Sequence, residues 1–464
     1  MSSRCGIRSR LSVVVLGCDW NPPFSFKGIG SAEQTRLKAT TPSRWQNIKR
    51  LGSEAGWVFA GQILSLIGTL IGVRVLTEYL SPSVYGTLGL SLTVAALFNE
   101  VIIGGLIGAF TRFYSISAKA EDVHRYVRGV RFLLIVAAAI AVSLLLVLTP
   151  VLLSGYEGLT FGVGLVITLF AVLFGTSAAL NAVLNGARRR SIVAFNSVID
   201  AWLKIGLAVL AIHFFGASAS AVLAAYAVSL FLILMHQIYR VRQLSEATET
   251  KGDRKWVREM LIFAWPASVW GIFTWAQQVA DRWSLQAFYS SAEVGLYSVV
   301  LQLGYFPMTL LMGMLGTFLT PIFFQKTDDQ HAHFSQEQNP WWRMVTLAGL
   351  GISILAALMA YLLQDLIFSL FVATEFQSVR GYLPVMVLSG GLFGLGSLLA
   401  VRLMAHMRMI QLGKIMVATS VTGVLIAVWL TSLYGLDGTV AGKLLFSAIY
   451  CGCLLLATKS GASK

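Results

Sequence analysis

Apolar runs of about 20 residues follow one another along this chain almost without pause, and a helix of that length crosses a roughly 30 Å hydrocarbon core. Twelve can be placed: Ala55–Leu76, Thr87–Phe110, Phe132–Leu153, Thr160–Leu184, Ser191–Phe214, Ala217–Tyr239, Met260–Ala280, Val294–Leu319, Trp342–Leu363, Tyr382–Val401, Ile415–Leu433 and Thr439–Ala457. The fifth and seventh stand out less, because they carry charge, or a proline and several tryptophans. Composition agrees with the pattern. Only 12% of the residues are charged, 56% are hydrophobic and the mean hydropathy is +0.73. A soluble chain keeps about a quarter of its residues charged, so most of this surface has to face lipid. The expected fold class is all-α, a polytopic membrane protein of about twelve transmembrane helices.

The basic residues test the count of spans. The net charge of +14 would suit nucleic acid if it were gathered in one patch, but Lys and Arg sit in short loops between the apolar runs, the topogenic pattern of a membrane protein. Of the 35, 30 fall before the first span, after the even-numbered ones or, as Arg343 does, at the edge where the ninth span begins on that side, and only Arg282 and Arg380 fall in the opposite loops. Arg74, Lys204 and Lys443 lie within spans. The asymmetry places both termini in the cytoplasm and requires an even number of helices. Residues 1–54 read as a basic, disordered cytoplasmic tail. Beyond it come a six-helix half at 55–240, a cytoplasmic linker at 241–259, a second half at 260–457 and a short tail at 458–464. No nucleic-acid partner is expected.

Two stretches resemble each other. Arg74 opens a segment that runs through Leu80-Ser-Pro-Ser-Val-Tyr-Gly86, and Arg282 opens one that ends in Ala292-Glu-Val-Gly295. Each has an Arg at the end of an odd-numbered span, a short loop with Ser and an aromatic residue, and a Gly opening the next span. This implies two halves in the same orientation, and carriers built from such repeats bind their cargo between the halves.

At these residues the sequence resembles the polysaccharide-synthesis flippases, the Wzx-type carriers of the multidrug/oligosaccharidyl-lipid/polysaccharide exporter superfamily. The likeness rests on Leu80–Gly86, on Asp281-Arg282 followed by Ala292-Glu-Val-Gly-Leu-Tyr-Ser298, and on Pro266. It implies a bacterial inner-membrane protein that moves a polyprenyl-pyrophosphate-linked oligosaccharide from the inner to the outer leaflet. Membrane lipids, and a polysaccharide polymerase with export machinery, are the implied partners. No cofactor is expected. Two rival readings are a multidrug or cation antiporter of the same superfamily, and a polytopic polymerase or ligase. The short loops disfavour the enzyme, since such enzymes carry catalytic residues in a large outer loop. A third, the peptidoglycan-precursor flippase branch, typically carries extra helices.

Burying an unpaired ion costs about 20 kcal/mol in the idealised limit, so an anionic head group needs a wet, cationic path while its tail stays in lipid. Arginine suits phosphate because its planar fork binds two oxygens and keeps its charge. Intramembrane charges are therefore the candidates. Arg74, Lys204 and Arg282 are expected to bind substrate. Arg74 could equally be an interfacial side chain, and Lys204 lies four residues after Asp200, the spacing of a local ion pair. Glu100, Asp200 and Asp281 are candidates for ion coupling. Glu100 has no local partner and could answer Arg74 or Lys204 across the bundle. Asp281-Arg282 reads as a solvated pair at a helix end, and Lys443 and His213 as side chains reaching the interface. Trp265, Trp270, Trp275 and Trp283 would stack on sugars or anchor at the interface. Gly68-x3-Gly72, Gly104-x3-Gly108 and Gly390-x3-Gly394 predict close helix packing. Asp328, Asp329, His331 and His333 form a solvated loop rather than a metal site. Cys451 and Cys453 read as small apolar fillers, and no Walker motif is present.

Overall fold

The computed structural model describes residues 44–153, 161–244, 255–329, 340–405 and 408–459. Among them every regular element is a helix. In chain order these are α1 (Arg44–Tyr79), α2 (Pro82–Lys119), α3 (Val123–Leu153), α4 (Phe161–Gly186), α5 (Arg190–Phe215), α6 (Ala219–Arg242) and α7 (Lys255–Phe288). Next, α8 runs from Ser291–Val300 into Phe306–Asp329, and is followed by α9 (Pro340–Phe371) and α10 (Leu383–Ala405). The last helical stretch, Met409–Lys459, breaks at Gly435, where φ is 58° and ψ is −129°. Its arms before and after Gly435 are α11 and α12.

The break is a reversal. Thr431 and Thr439 share a side-chain hydrogen bond of 2.9 Å. Further out, Gly442 faces Ala427 and Gly423 faces Phe446, a ladder in which one number falls as the other rises. The arms are antiparallel, so this stretch crosses the membrane twice. Among the described residues ten helical stretches are long and apolar enough to span, and Ile410–Thr458 is one of them. Counting its two crossings and adding α7 gives the expected twelve.

Helix α7 escapes a hydropathy criterion because its polar residues face inward. Gln277, Asp281 and Ser284 are buried, while Leu261, Ile262, Trp265 and Ile272 are exposed, as they are on a lipid-facing surface. The irregular tail expected through residue 54 ends sooner, because α1 begins at Arg44. No proline interrupts the chain from Arg44 to Tyr79, so nothing stops the helix from extending there. Residues 1–43, most of the expected linker (245–254) and the C-terminal 460–464 lie outside the described residues, as do His331 and His333.

Helix α2 is the centre of the packing, in contact with α4, α6, α7 and α8. Its crossing with α8 is reciprocal. A Cβ on Gly86 would clash with the carbonyl of Ser291, and one on Gly295 with the carbonyl of Pro82. Farther along, Gly89 would meet Ser298 at 3.0 Å. These are the glycines that open the second element of each sequence repeat, and they lie against each other as paired positions about a two-fold axis do. Both α2 and α8 also contain a π-turn, at Asn99–Ile103 and Leu301–Tyr305. Two of the three glycine pairs predicted to pack closely do so: Gly68 and Gly72 abut α5, and Gly390 and Gly394 abut Tyr305 and Met312 of α8, whereas Gly104 meets only the Asn99 carbonyl of its own helix and Gly108 makes an ordinary contact with Phe263 of α7.

Candidate functional site

A cleft of about 780 Å³ lies between α1, the start of α5 and α8, its walls a mixture of apolar side chains, among them Val58, Leu66, Phe306 and Met314, and a row of polar ones. Helix α5 contributes Arg190, Val193, Ala194 and Ser197, one face at i, i+3, i+4 and i+7. Gln62, Ser65 and Thr69 line it from α1, and Gln302 and Thr309 from α8. Arg190 is the one charged residue in that lining, and it is exposed. Outside the cleft the two flanking helices turn apolar side chains away from the bundle, Ile63, Leu64 and Ile67 on α1 and Leu311 on α8. Tyr85 of α2 reaches it indirectly, donating to Gln302 Oε1 at 3.1 Å.

None of the six residues singled out from sequence belongs to that lining. Two of them lie on α5 beyond Ser197. Lys204 Nζ is 2.6 Å from Asp200 Oδ2, and the pair is about one-fifth exposed. Ser229 of α6 donates to Asp200 Oδ1 at 2.9 Å, and the ammonium sits 5.6 Å from the centre of the Tyr226 ring. Arg74 does not meet them. Its Nη1 donates to the Val372 carbonyl at 2.7 Å and its Nη2 pairs with Glu78 at 3.0 Å, so it ties the end of α1 to the end of α9. Thr77 reinforces the tie by accepting from the Ala373 amide at 3.2 Å. Glu100 lies in the α2 π-turn, half-buried, where Gly271 of α7 packs on its carbonyl. Among the described residues no ion pair joins it to Arg74 or Lys204. A π-turn displaces a helical ladder locally and is common where side chains act.

The expectations of a solvated Asp281-Arg282 pair and an interfacial Lys443 do not hold. Asp281 is 3% exposed and Lys443 6%. Lys443 Nζ donates to Asp281 Oδ2 at 3.0 Å, Tyr297 donates to the same oxygen at 2.7 Å, and the Arg282 amide donates to Oδ1 at 2.8 Å. The Arg282 guanidinium is 3.9 Å from that Oδ1, and its Nη2 donates to the Gln278 carbonyl. Lys443 also sits 4.8 Å from the centre of the Tyr305 ring, a cation–π distance. The cause is topological: α12 returns from Gly435 alongside α7, so a lysine near a helix end faces protein and not the interface. The tryptophans are also partly reassigned. Trp275 and Trp283 both donate from Nε1 to Thr93 of α2, at 2.9 Å each, and so clamp α7 to α2. Trp270 packs on Gly413, and Trp265 alone keeps an outward position, at 64% exposure.

Sequence reasoning missed Arg190, Gln302 and the partnership of Lys443. The polar stripe on α5 was readable, since Arg190 and Ser197 are two turns apart on one face. Lys443 carried no such mark, because its partner is 162 positions away.

Twelve membrane-length helices among the described residues, with a cleft between the first, fifth and eighth, define a polytopic helical membrane protein. A family profile described as polysaccharide biosynthesis protein matches residues 51–326, more than half of the chain, and the protein belongs to that family. The resemblance read from Leu80–Gly86 and Asp281–Ser298 is thereby met. Among solved structures it is similar to an inward-facing multidrug resistance MATE family transporter of the MOP superfamily, with a TM-score of 0.68 at 14% identity, covering 88% of this chain and 98% of that one. It is similar also to the lipid II flippase MurJ in an inward closed conformation, with a TM-score of 0.67 at 14% identity over 88% and 87% of the two chains. A third is the Vibrio cholerae MATE transporter VcmN in its bent form, with a TM-score of 0.58 at 16% identity over 89% and 97%. At these identities the likeness is one of fold. Among curated proteins no sequence match is found.

Proposed function

We propose that the protein is a flippase that carries a polyprenyl-pyrophosphate-linked oligosaccharide across the bacterial inner membrane, with both termini in the cytoplasm. The observation that carries this reading is the cleft between α1, α5 and α8. Its mixed lining carries a row of polar side chains and one cationic side chain, Arg190, and it is bordered by helices whose outer faces are apolar. A charged head can enter such a cleft while its hydrocarbon tail remains in lipid, which avoids the cost of burying an unpaired phosphate. Lys204 lies 14 positions beyond Arg190 on the same face of α5, a second cation ~21 Å farther along the path. In this proposal the two six-helix halves rock about the cleft, and the ion-paired Asp200 releases Lys204 to the passing head group. The membership in a polysaccharide biosynthesis family supports the glycan, and the absence of a carboxylate from the described cleft lining disfavours a cationic drug as cargo. The work required is binding and movement, which gives the protein no enzymatic step.

The test is complementation in a strain that lacks its glycan flippase, at matched membrane expression. Wild type should restore surface glycan. Arg190→Gln should lower export about tenfold, the effect of one lost charge-assisted contact of roughly 1.4 kcal/mol. Arg258→Gln, at an exposed cation outside the cleft, should leave export unchanged. Full export by Arg190→Gln would remove the cleft from the path, and failure of wild type across several glycan types would overturn the substrate class.

A further inference from the structure

We propose that a trough between α3, α4 and α6, on the side of the first six helices and apart from the cleft, binds an anionic phospholipid of the surrounding bilayer. The trough has a volume of about 700 Å³. Its lining is graded along the helices in the way a phospholipid is graded along its length. On α3 a stripe at helical spacing begins with His124, Arg128 and Arg131 and continues with Leu134, Ile135 and Ala138, with Val127 and Val130 beside the charged turns, so that charge is confined to the first two turns. Helix α6 runs the opposite way and repeats the gradient in reverse, with Ile238 and Val241 leading to Arg242 in its last turn. Leu180 of α4 closes the floor and is buried. Both gradients therefore place charge at the same end and hydrocarbon toward the middle of the bundle.

That end is the one that carries the basic loops, the level at which lipid phosphates lie. Arg131 and Arg242 are exposed, and no ion pair joins either to a carboxylate among the described residues. Arg128 donates to His124 Nε2 at 2.8 Å, which holds both side chains over the mouth of the trough. Guanidinium groups bind phosphate oxygens two at a time, and basic pockets between helices at this level select anionic head groups. Length chooses the lipid. From His124 to Ala138 the stripe extends ~21 Å, enough for a head group and an acyl chain within one leaflet of ~15 Å. A long polyprenyl tail overruns it. The site is thus a resident-lipid site, distinct in place and ligand from the path of the cargo.

The experiment is native mass spectrometry of the full chain purified in detergent, titrated with phosphatidylglycerol or phosphatidylcholine. Wild type should hold phosphatidylglycerol at least tenfold more tightly than phosphatidylcholine. Arg131→Gln/Arg242→Gln should lose that preference, Arg131→Lys/Arg242→Lys should keep most of it, and Arg258→Gln should keep all of it. Ala138→Trp fills the apolar floor with every charge in place and should also weaken binding; it carries the test should the double Gln variant fail to fold. The proposal is overturned by equal binding of the two phospholipids. It is overturned equally if Arg258→Gln loses as much as the double Gln variant, if both that variant and Ala138→Trp bind as wild type does, or if a polyprenyl pyrophosphate binds there and phosphatidylglycerol does not.

Discussion

At the scale of single residues the contact most costly to break is the buried pair of Asp281 and Lys443, outside the cleft. Two opposite charges, each almost wholly buried, satisfy one another, and Tyr297 and the Arg282 amide complete the carboxylate's hydrogen bonds. Removing one partner strands the other, which costs about 3–5 kcal/mol, whereas an uncharged pair of similar volume is close to neutral. We predict that Asp281→Asn and Lys443→Met each lower the thermal midpoint of the detergent-purified protein by many degrees. The double variant should recover most of the loss, and additive losses would show that the pair is not coupled. Sequence alone revealed the neighbouring charges at Asp200 and Lys204 because their spacing is helical. The pair at Asp281 and Lys443 is assembled by a chain reversal 162 positions apart, and nothing local announces it. Arg190 was visible but looked like one more topogenic cation, because loop charge and cleft charge have the same composition.

At the scale of elements, the reversal itself is held by one residue. Gly435 has φ of 58° with ψ of −129°, a conformation that an L side chain adopts only under strain, and an added Cβ there would lie 3.0 Å from the Tyr289 ring. Gly435→Ala should therefore destabilise the protein by about 1–3 kcal/mol, read as a lowered midpoint of thermal unfolding. An unchanged midpoint would mean that the hairpin can close in another conformation. Its position between two apolar runs, Ile415–Leu433 and Thr439–Ala457, was legible, because a run of 49 residues is too long for one crossing. Helix α7 was harder to read. Its buried Gln277, Asp281 and Ser284 lower the mean hydropathy, since a helix packed against α2 and α12 need not be apolar on the faces it hides.

For the molecule as a whole, the alternation of basic and non-basic loops was the most reliable guide. It depends on every span being counted correctly, and the twelve helices agree with it. We predict that an impermeant maleimide added to intact cells labels a cysteine placed at Glu375 and fails to label one placed at Lys119, on the basic side. Labelling of both, or of Lys119 alone, would reverse or abolish the proposed orientation. What the loops could not convey is which helices touch, because contact depends on faces and not on order. The repeat glycines show this, since the sequence marked them as opening matching elements and gave no sign that they meet. Gly86 and Gly295 meet with backbone against backbone, and any Cβ at that point would clash with a carbonyl that cannot move aside. A contact with no slack at one end of two long rods acts as a fulcrum. From Gly86 to Lys119 α2 extends ~50 Å, so a tilt of about 10° against α8 swings its other end by ~9 Å, a small angle with a long lever arm.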